Sequence, residues 1–219
     1  MDRTPEPDMS LAGDLYISAS CITDQQFIYR DRKPVFENSG GDPEDFFLTA
    51  YKDFGFQYPK FYKMDLLSKL GWISTEILLN QVPEMTAYPR EEVGVVLSNS
   101  SSSLDTDRKY FETTKTMASP AVFVYTLPNI MIGEICIRHG FKGENAFFIS
   151  KDFDPVFIWQ YVCNLFNIDT LQACICGWVE VAGGQWKAAL YLVEQRKTDN
   201  PVPFTADNLK TLFQTPWIN

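Results

Sequence analysis

Several features that identify large classes of protein are missing from this chain of 219 residues. No run of about 18 or more uncharged apolar residues occurs, so no membrane-spanning helix is predicted. The N-terminus MDRTPEPDMS is polar and contains proline, unlike a secretory signal. Basic residues are few, since 19 Lys and Arg stand against 28 Asp and Glu. Phosphate binding needs clustered cations. We therefore predict a cytoplasmic protein without a membrane or nucleic-acid partner.

Metal-ligating side chains are also scarce. The chain has one histidine, His139, and its five cysteines form no CxxC pair, so we expect no structural zinc and no other cofactor. Cys174 and Cys176 are two residues apart, which places both on one face of a predicted strand. A buried apolar face is the better interpretation of this pair than a metal or redox site.

Hydrophobic residues are plentiful, at 45% of the chain, and their spacing predicts alternating strands and helices. A helix after Asp65, a proline-started helix at Ser119 that Pro128 breaks, and a helix from Pro155 to Asn167 carry capping signals. Residues 31–43 contain Pro, Gly, Asp and Asn, which predict a loop. The first strand, the helix after Asp65 and the second strand predict a right-handed crossover with parallel pairing. Five strands are predicted, at Leu15–Cys21, Val93–Leu97, Ala146–Ser150, Leu171–Val181 and Trp186–Glu194.

A serine-rich segment, Ser98–Ser103, follows the second predicted strand. Backbone N–H groups of such a loop can cradle a phosphate, but the lysine and glycine spacing of a P-loop is absent. We expect a solvated turn that caps the next helix.

Four segments together resemble one family of enzymes. They are LYISASCIT, KMDLLSKLGWISTEILL (63–79), VGVVLSNSSSSLDTDRKYFET (93–113) and SPAVFVYTLPNIMIGEICIRHGFKGENAFFISKDFD (119–154). This series is similar to the amino-terminal half of β-ketoacyl synthases, the condensing enzymes of fatty-acid and polyketide assembly. The resemblance implies an α/β, thiolase-like half with a layered, mixed five-stranded sheet and helices on both faces. It covers residues 14–194, between an N-terminal arm at 1–13 and a C-terminal tail at 195–219 with a short helix.

The nucleophilic cysteine of that family is missing from this sequence. Its position, counted along the strand Ala146–Ser150, falls on Asp152. The resemblance places the family's other catalytic residues, commonly two histidines, in the carboxy-terminal half, which has no counterpart here. Asp154 is the weaker candidate for an acid or base, because a carboxylate at a helix N-terminus is a good cap and a poor base. Ser-His-Asp chemistry using His139 lacks a GxSxG context.

The helix Val156–Asn167 is apolar around nearly its whole circumference, broken only by Gln160 and Asn164. In the complete family fold a second sheet covers the equivalent helix. Three candidates are open for its cover here: a second copy of the chain, a condensing-enzyme subunit, or a folded-back terminal helix. The residues that would form the apolar face of that helix are Phe204, Leu209, Leu212, Phe213 and Trp217.

These observations predict a catalytically deficient, ketosynthase-like subunit that partners a condensing enzyme or its acyl carrier protein. The alternatives are a small thioester hydrolase or decarboxylase using Asp152 or Asp154, and a freestanding acyl-binding protein with a pocket of Phe147, Phe148 and Phe153. The net charge of −9 weighs against an acidic carrier unless local basic patches oppose it. Two such patches are Arg30, Arg32 and Lys33, and Lys60 and Lys63.

The resemblance also makes a prediction about assembly. In the family, the strand equivalent to Ala146–Ser150 lies at a sheet edge and pairs with its own copy across a two-fold axis. An exposed apolar edge is otherwise an aggregation hazard. We therefore expect a homodimer, or a heteromer with a condensing-enzyme subunit, with Phe147, Phe148 and Ile149 in or beside the interface.

Overall fold

The computed structural model describes residues 15–80, 82–168, 170–196 and 202–214, and one mixed sheet runs through them. Its order is β3-β2-β1-β7-β6-β4-β5, with the short strand β8 beside β1. The strands are β1 Tyr16–Thr23, β2 Phe27–Arg30, β3 Lys33–Glu37, β4 Val93–Asn99, β5 Asn145–Ile149, β6 Ala173–Ala182, β7 Gln185–Glu194 and β8 Val202–Pro203. All five predicted strands are present, and the sheet has three more.

The sheet is parallel at one end and antiparallel elsewhere. β4 runs parallel to both β5 and β6, whereas β6, β7, β1, β2 and β3 pair antiparallel in succession. The predicted pairing of the first strand with the second is therefore wrong. β1 and β4 point the same way, but β7 and β6 lie between them because the last hairpin inserts into the centre of the sheet.

Helices cover both faces of the sheet. They are α1 Pro43–Asp53, α2 Leu66–Leu79, α3 Leu104–Thr114, α4 Pro120–Phe123, α5 Asn129–His139, α6 Pro155–Asn167 and α7 Ala206–Gln214. One core contains α1, α2 and α5 with the β6 residues Ala173 and Ile175, and the other contains α6 and α7 with Cys174 and Cys176. Both cysteines are fully buried on the same face, as their spacing predicts.

The sequence signals for the ends of α2, α4, α5 and α6 are confirmed. The expected cap of α3 is wrong, because the Ser103 hydroxyl contacts the Thr126 carbonyl oxygen and the Asp107 carboxylate and not a backbone N–H of that helix. The side chains of Asp65, Ser119 and Asp154 each accept a hydrogen bond from a backbone N–H in the first turn of α2, α4 and α6. Pro128 separates α5 from the preceding helical segment, and Gly140 ends α5 at a φ of 74°. The segment 63–79 is not helical throughout, because a 3-10 turn at Pro59–Lys63 precedes α2.

The predicted loop at residues 31–43 is the largest error in the strand assignment. Residues 33–37 form β3, which pairs with β2 in a hairpin whose turn holds Asp31 and Arg32 at positive φ. Phe36 is the single buried residue of β3 and packs edge-on against Phe46 of α1, with ring centroids 5.3 Å apart. With one buried residue in five, β3 has no alternation of apolar and polar residues from which a strand could be predicted.

The terminal helix covers part of α6. Leu209 and Leu212 of α7 are buried in the same core as Ile158 and Val162 of α6, and the Phe204 N–H donates to the Leu15 carbonyl oxygen. The expectation of a folded-back helix is confirmed for residues 202–214, whereas Trp217 lies outside the described residues. The arm at 1–13 also lies outside them, and the domain boundaries stay a prediction.

Within the described ranges, no single helix is long and apolar enough to cross a bilayer. The pair Pro120–Thr126 and Asn129–His139 passes that test only when joined across a bend of 99°. No three His, Cys, Asp or Glu side chains in the same ranges come together as a potential metal site.

Candidate functional site

The turn between β5 and α6 is where the family resemblance places the nucleophile. The Ser150 N–H donates to the carbonyl oxygen of Asn99 at 2.9 Å, and its hydroxyl donates to the carbonyl oxygen of Asp152 at 2.8 Å. These bonds fix the turn at the carboxyl end of β4. The Asp154 carboxylate accepts from the Phe157 N–H at 2.9 Å and so caps α6.

Asp152 is exposed at this turn and no hydrogen bond or ion pair reaches its carboxylate among the described residues. A general acid or base needs a second group that positions it or shifts its proton affinity. The structure brings no such group to Asp152, and the Asp154 carboxylate already serves the helix. The arrangement therefore offers a cap rather than a catalytic pair.

Aromatic rings fill the space beside this helix N-terminus. Phe153 stacks on Phe213 of α7, with centroids 4.6 Å apart, and lies 6.3 Å from the ring of Trp178. The Lys187 ammonium holds Phe213 from the other side, 3.9 Å from its ring centroid, and donates to the Phe213 carbonyl oxygen at 2.9 Å. Burial lowers the pKa of Lys187. Packing by α7 thus fills the space beside Phe153 with side chains of this chain.

The three phenylalanines considered for an acyl pocket do not line one pocket. Phe147 packs on the side of the sheet that carries α2 and α5, whereas Phe148 packs on the α6 side, 4.7 Å from the ring of Phe157. Phe153 is engaged with α7. Successive strand residues point to opposite faces, so Phe147 and Phe148 cannot line one cavity.

The residues with nucleophilic or basic potential lie elsewhere. His139 lines a cavity together with Val93, at the start of β4, whereas Asp152 follows its end. Six residue steps along β4 separate Val93 from Asn99, or about 20 Å at about 3.3 Å per residue. Cys163 is buried within α6, which raises the pKa of its thiol to about 11, and Cys174 and Cys176 are fully buried. No thiolate, histidine and carboxylate come together at the turn.

The hydrogen-bond donors of the serine-rich loop are bound to the carboxylate of Glu180. Glu180 Oε2 accepts from the Ser100 N–H at 2.7 Å, the Ser100 hydroxyl at 2.6 Å and the Ser101 N–H at 3.2 Å. These are the donors that a phosphate would need. The loop is therefore a structural anchor between β4 and β6. No local pattern predicts this contact, because Glu180 is 80 positions from Ser100.

A groove of about 670 Å³ lies on the α7 side of the sheet, between the end of the β6–β7 hairpin and β2. Tyr29, Trp178 and Lys187 contribute to its walls. It lies beside the aromatic cluster of Phe153 and Phe213, since Trp178 belongs to both. Sequence reasoning missed this groove because its walls come from four separate strands and loops.

Comparison with known proteins identifies the fold. No protein-family model matches the chain, and no curated protein matches it in sequence. The ishigamide ketosynthase/chain length factor matches in structure with a TM-score of 0.60 and 16% identity, covering 87% of this chain and 64% of that one. The complex AntDE:AntF, a type II PKS acyl-carrier protein with its ketosynthase bound to the hexaketide, matches with a TM-score of 0.57 and 14% identity, covering 84% and 63%.

A third solved structure differs from these in length. It is the ketosynthase ApeO in complex with its chain length factor ApeC from Xenorhabdus doucetiae, with a TM-score of 0.54 and 11% identity, covering 91% of this chain and 90% of that one. The chain thus spans just under two thirds of the first two proteins and nearly the whole of the third. The resemblance to condensing enzymes is confirmed at the level of the fold: the chain has the mixed α/β fold of ketosynthase/chain length factor proteins.

Proposed function

We propose that the chain is a non-catalytic, ketosynthase-like subunit that assembles with a catalytically competent condensing enzyme in polyketide- or fatty-acid-type biosynthesis. One observation carries the proposal. At the N-terminus of α6, the resemblance places a reactive thiol. The structure has an exposed Asp152 there, together with a capping Asp154 and the ring of Phe153 stacked on Phe213. A fold that keeps the scaffold without the nucleophile suits a structural partner better than an independent enzyme.

The outer edge of β5, with which no other described strand pairs, supports assembly with another subunit. The Ala146, Phe148 and Ser150 backbone groups face β4, as the bonds of Glu144 and Ser150 to β4 establish. By the alternation of a strand, the N–H and C=O groups of Phe147 and Ile149 point to the outer edge. Unpaired strand edges are templates for another strand.

Apolar side chains flank this edge. Ile149, Val156 and Phe157 are 53%, 49% and 37% exposed, and Phe157 is in ring contact with Phe148. An edge with outward-pointing backbone donors and apolar flanks is suited to a partner strand that has similar flanks. Two of the neighbouring structures are described as ketosynthases with chain length factors, which supports this class of partner.

Contact with an acyl carrier protein is a second part of the proposal. One neighbour is described as a carrier protein in complex with its ketosynthase. In this chain, however, Arg30 pairs with Asp31 and donates to the Ile77 carbonyl oxygen, and Lys60 pairs with the buried Glu134 at 2.7 Å. These cations serve the fold. We therefore expect the partner subunit to supply most of the carrier-binding surface.

The experiment is purification of the tagged chain from native extract, followed by intact-complex mass measurement and labelling with radioactive acyl-CoA and acyl-carrier thioesters. We expect a co-purifying condensing enzyme that carries the label, and no stable label on this chain, because position 152 holds no thiol. Stable acylation of this chain would contradict the proposal. Thioester hydrolysis by the chain alone that disappears in Asp152→Asn or Asp154→Asn would favour the hydrolase alternative instead.

A further inference from the structure

A second cavity lies at the end of the sheet where β4 begins, opposite the turn that holds Asp152. Its volume is about 470 Å³, within the usual range for small-molecule sites. Aromatic side chains from three separate segments line it: Phe54 and Phe56 after α1, Tyr88 before β4, and Phe141 after α5. The Tyr88 hydroxyl donates to the buried Glu194 carboxylate at 2.6 Å, which fixes that ring.

Four of the rings that line this cavity form two stacked pairs. Phe54 and Phe56 stack with centroids 5.6 Å apart and an interplanar angle of 13°, and His139 and Phe141 stack at 5.2 Å and 15°. Aromatic groups prefer offset stacked or edge-on contact with other rings. The cavity therefore favours a planar aromatic group over a flexible chain.

The carboxylate that lines the cavity is already neutralised. Glu76 pairs with Arg138 at 2.9 Å, and its Oε1 lies 3.0 Å from His139 Nε2. Burial opposes ionisation of Glu76, but hydrogen bonds and charges from His139 and Arg138 outweigh it and lower the pKa of the carboxyl. These contacts hold the His139 ring in place and give the Glu76 carboxylate a cationic partner of its own, Arg138.

Arg90 is the cation without an ionic partner at this cavity. Among the side chains that the structure describes, no carboxylate lies within ion-pair distance of its guanidinium, although the charge of the adjacent Glu91 acts on it. Its carbonyl oxygen accepts from the Lys142 N–H at 2.8 Å, which anchors the backbone. The guanidinium lies over Gly140 at the carboxyl end of α5, where a Cβ atom on Gly140 would come within 2.6 Å of Nη1. Arg90 is exposed, so its guanidinium can receive a carboxylate through two parallel hydrogen bonds.

We propose that this cavity binds a small monocyclic aromatic carboxylate, with its ring between the two stacked pairs and its carboxylate on Arg90. The inference goes beyond the proposed subunit role and does not depend on it, because the cavity lies at the other end of β4. The ligand class follows from the aromatic walls and from Arg90, the one cation of the described lining, which has no ion-pair partner among the described side chains.

The test uses the whole chain and two probes, benzoate and 3-phenylpropionate, with proton NMR of the imidazole as the readout. His139 is the only histidine in the chain, so its ring signals need no assignment among others. We expect a saturable shift of these signals for at least one probe. Hexanoate should bind at least about fivefold more weakly because it cannot stack, and phenethylamine should not bind because its charge is reversed.

Two substitutions separate a specific site from a general effect of charge. Arg90→Gln should weaken binding at least about tenfold, as the loss of a charge-assisted hydrogen bond implies. Lys210→Gln removes the same charge from an exposed side chain of α7, which packs on the opposite face of the sheet, and it should leave the affinity unchanged. The proposal is overturned if neither aromatic acid gives a saturable shift at about 10 mM, or if both substitutions weaken binding equally.

Discussion

The two carboxylates on either side of Phe153 differ in what they contact. Asp154 accepts the Phe157 N–H in the first turn of α6, whereas the Asp152 carboxylate has no partner among the described residues. A cap satisfies a helix donor that would otherwise be unpaired, and its negative charge is favourable at the helix N-terminus. The free energy of unfolding should therefore depend on the carboxylate of Asp154 and not on that of Asp152.

We predict that Asp154→Ala lowers the free energy of unfolding by about 0.5 to 2 kcal/mol, the range for loss of a cap. Asp152→Ala, the matched control two residues earlier, should change it by less than about 0.5 kcal/mol, as exposed substitutions do. Urea denaturation of the three proteins checks this. An equal effect of the two substitutions would show that Asp154 is not acting as a cap.

Residue roles that rest on local geometry could be predicted from the sequence, and those that rest on distant contacts could not. The caps Asp65, Ser119 and Asp154 stand next to the helices they serve, so spacing reveals them. Glu180 is about 80 positions from the serine loop it anchors. Glu76 is 62 positions from Arg138, and only the fold brings them together.

At the scale of elements, α7 covers part of the apolar surface of α6. Leu209 is fully buried and Leu212 nearly so, both against the apolar face that α6 presents. Lys210, between them in sequence, is exposed. The apolar spacing of this helix predicted its contact with the domain, whereas β3 has one buried residue, Phe36, and gave no comparable pattern.

We predict that Leu209→Ala lowers the free energy of unfolding by about 2 to 5 kcal/mol, the range for a buried leucine. Lys210→Ala should have an effect below about 0.5 kcal/mol. Chemical denaturation measures both. If α7 packed only loosely, the two variants would have similar stability, and a partner subunit would then be the better candidate for covering α6.

For the whole molecule, the strand order and the open edge carry the most information about function. The strands expected from apolar runs are present, but sequence could not place β6 and β7 between β1 and β4, because pairing partners come from long-range packing. The position of β5 at the edge was implied only by the family resemblance. That edge is confirmed, and the expected homodimer stays a prediction.

The outward N–H of Ile149 makes assembly through this edge testable with one substitution. We predict that the purified chain, without another subunit, has a light-scattering mass of twice 25.1 kDa at micromolar concentration. Ile149→Pro should reduce this to a single chain, because proline removes the outward donor and leaves the bonds of Phe148 and Ser150 to β4 intact.

Ile149→Ala is the matched control, since it keeps the N–H and removes only a side chain that is 53% exposed. It should weaken the dimer less than proline does. Phe148 is a poorer site for this test because its ring already packs against Phe157 and Tyr161 within the chain, so truncation would disturb the fold as well as the interface. A wild-type mass of one chain would refute the homodimer and leave this edge to a condensing-enzyme subunit. In that case Ile149→Pro should abolish recovery of that subunit from native extract, whereas Ile149→Ala should retain it.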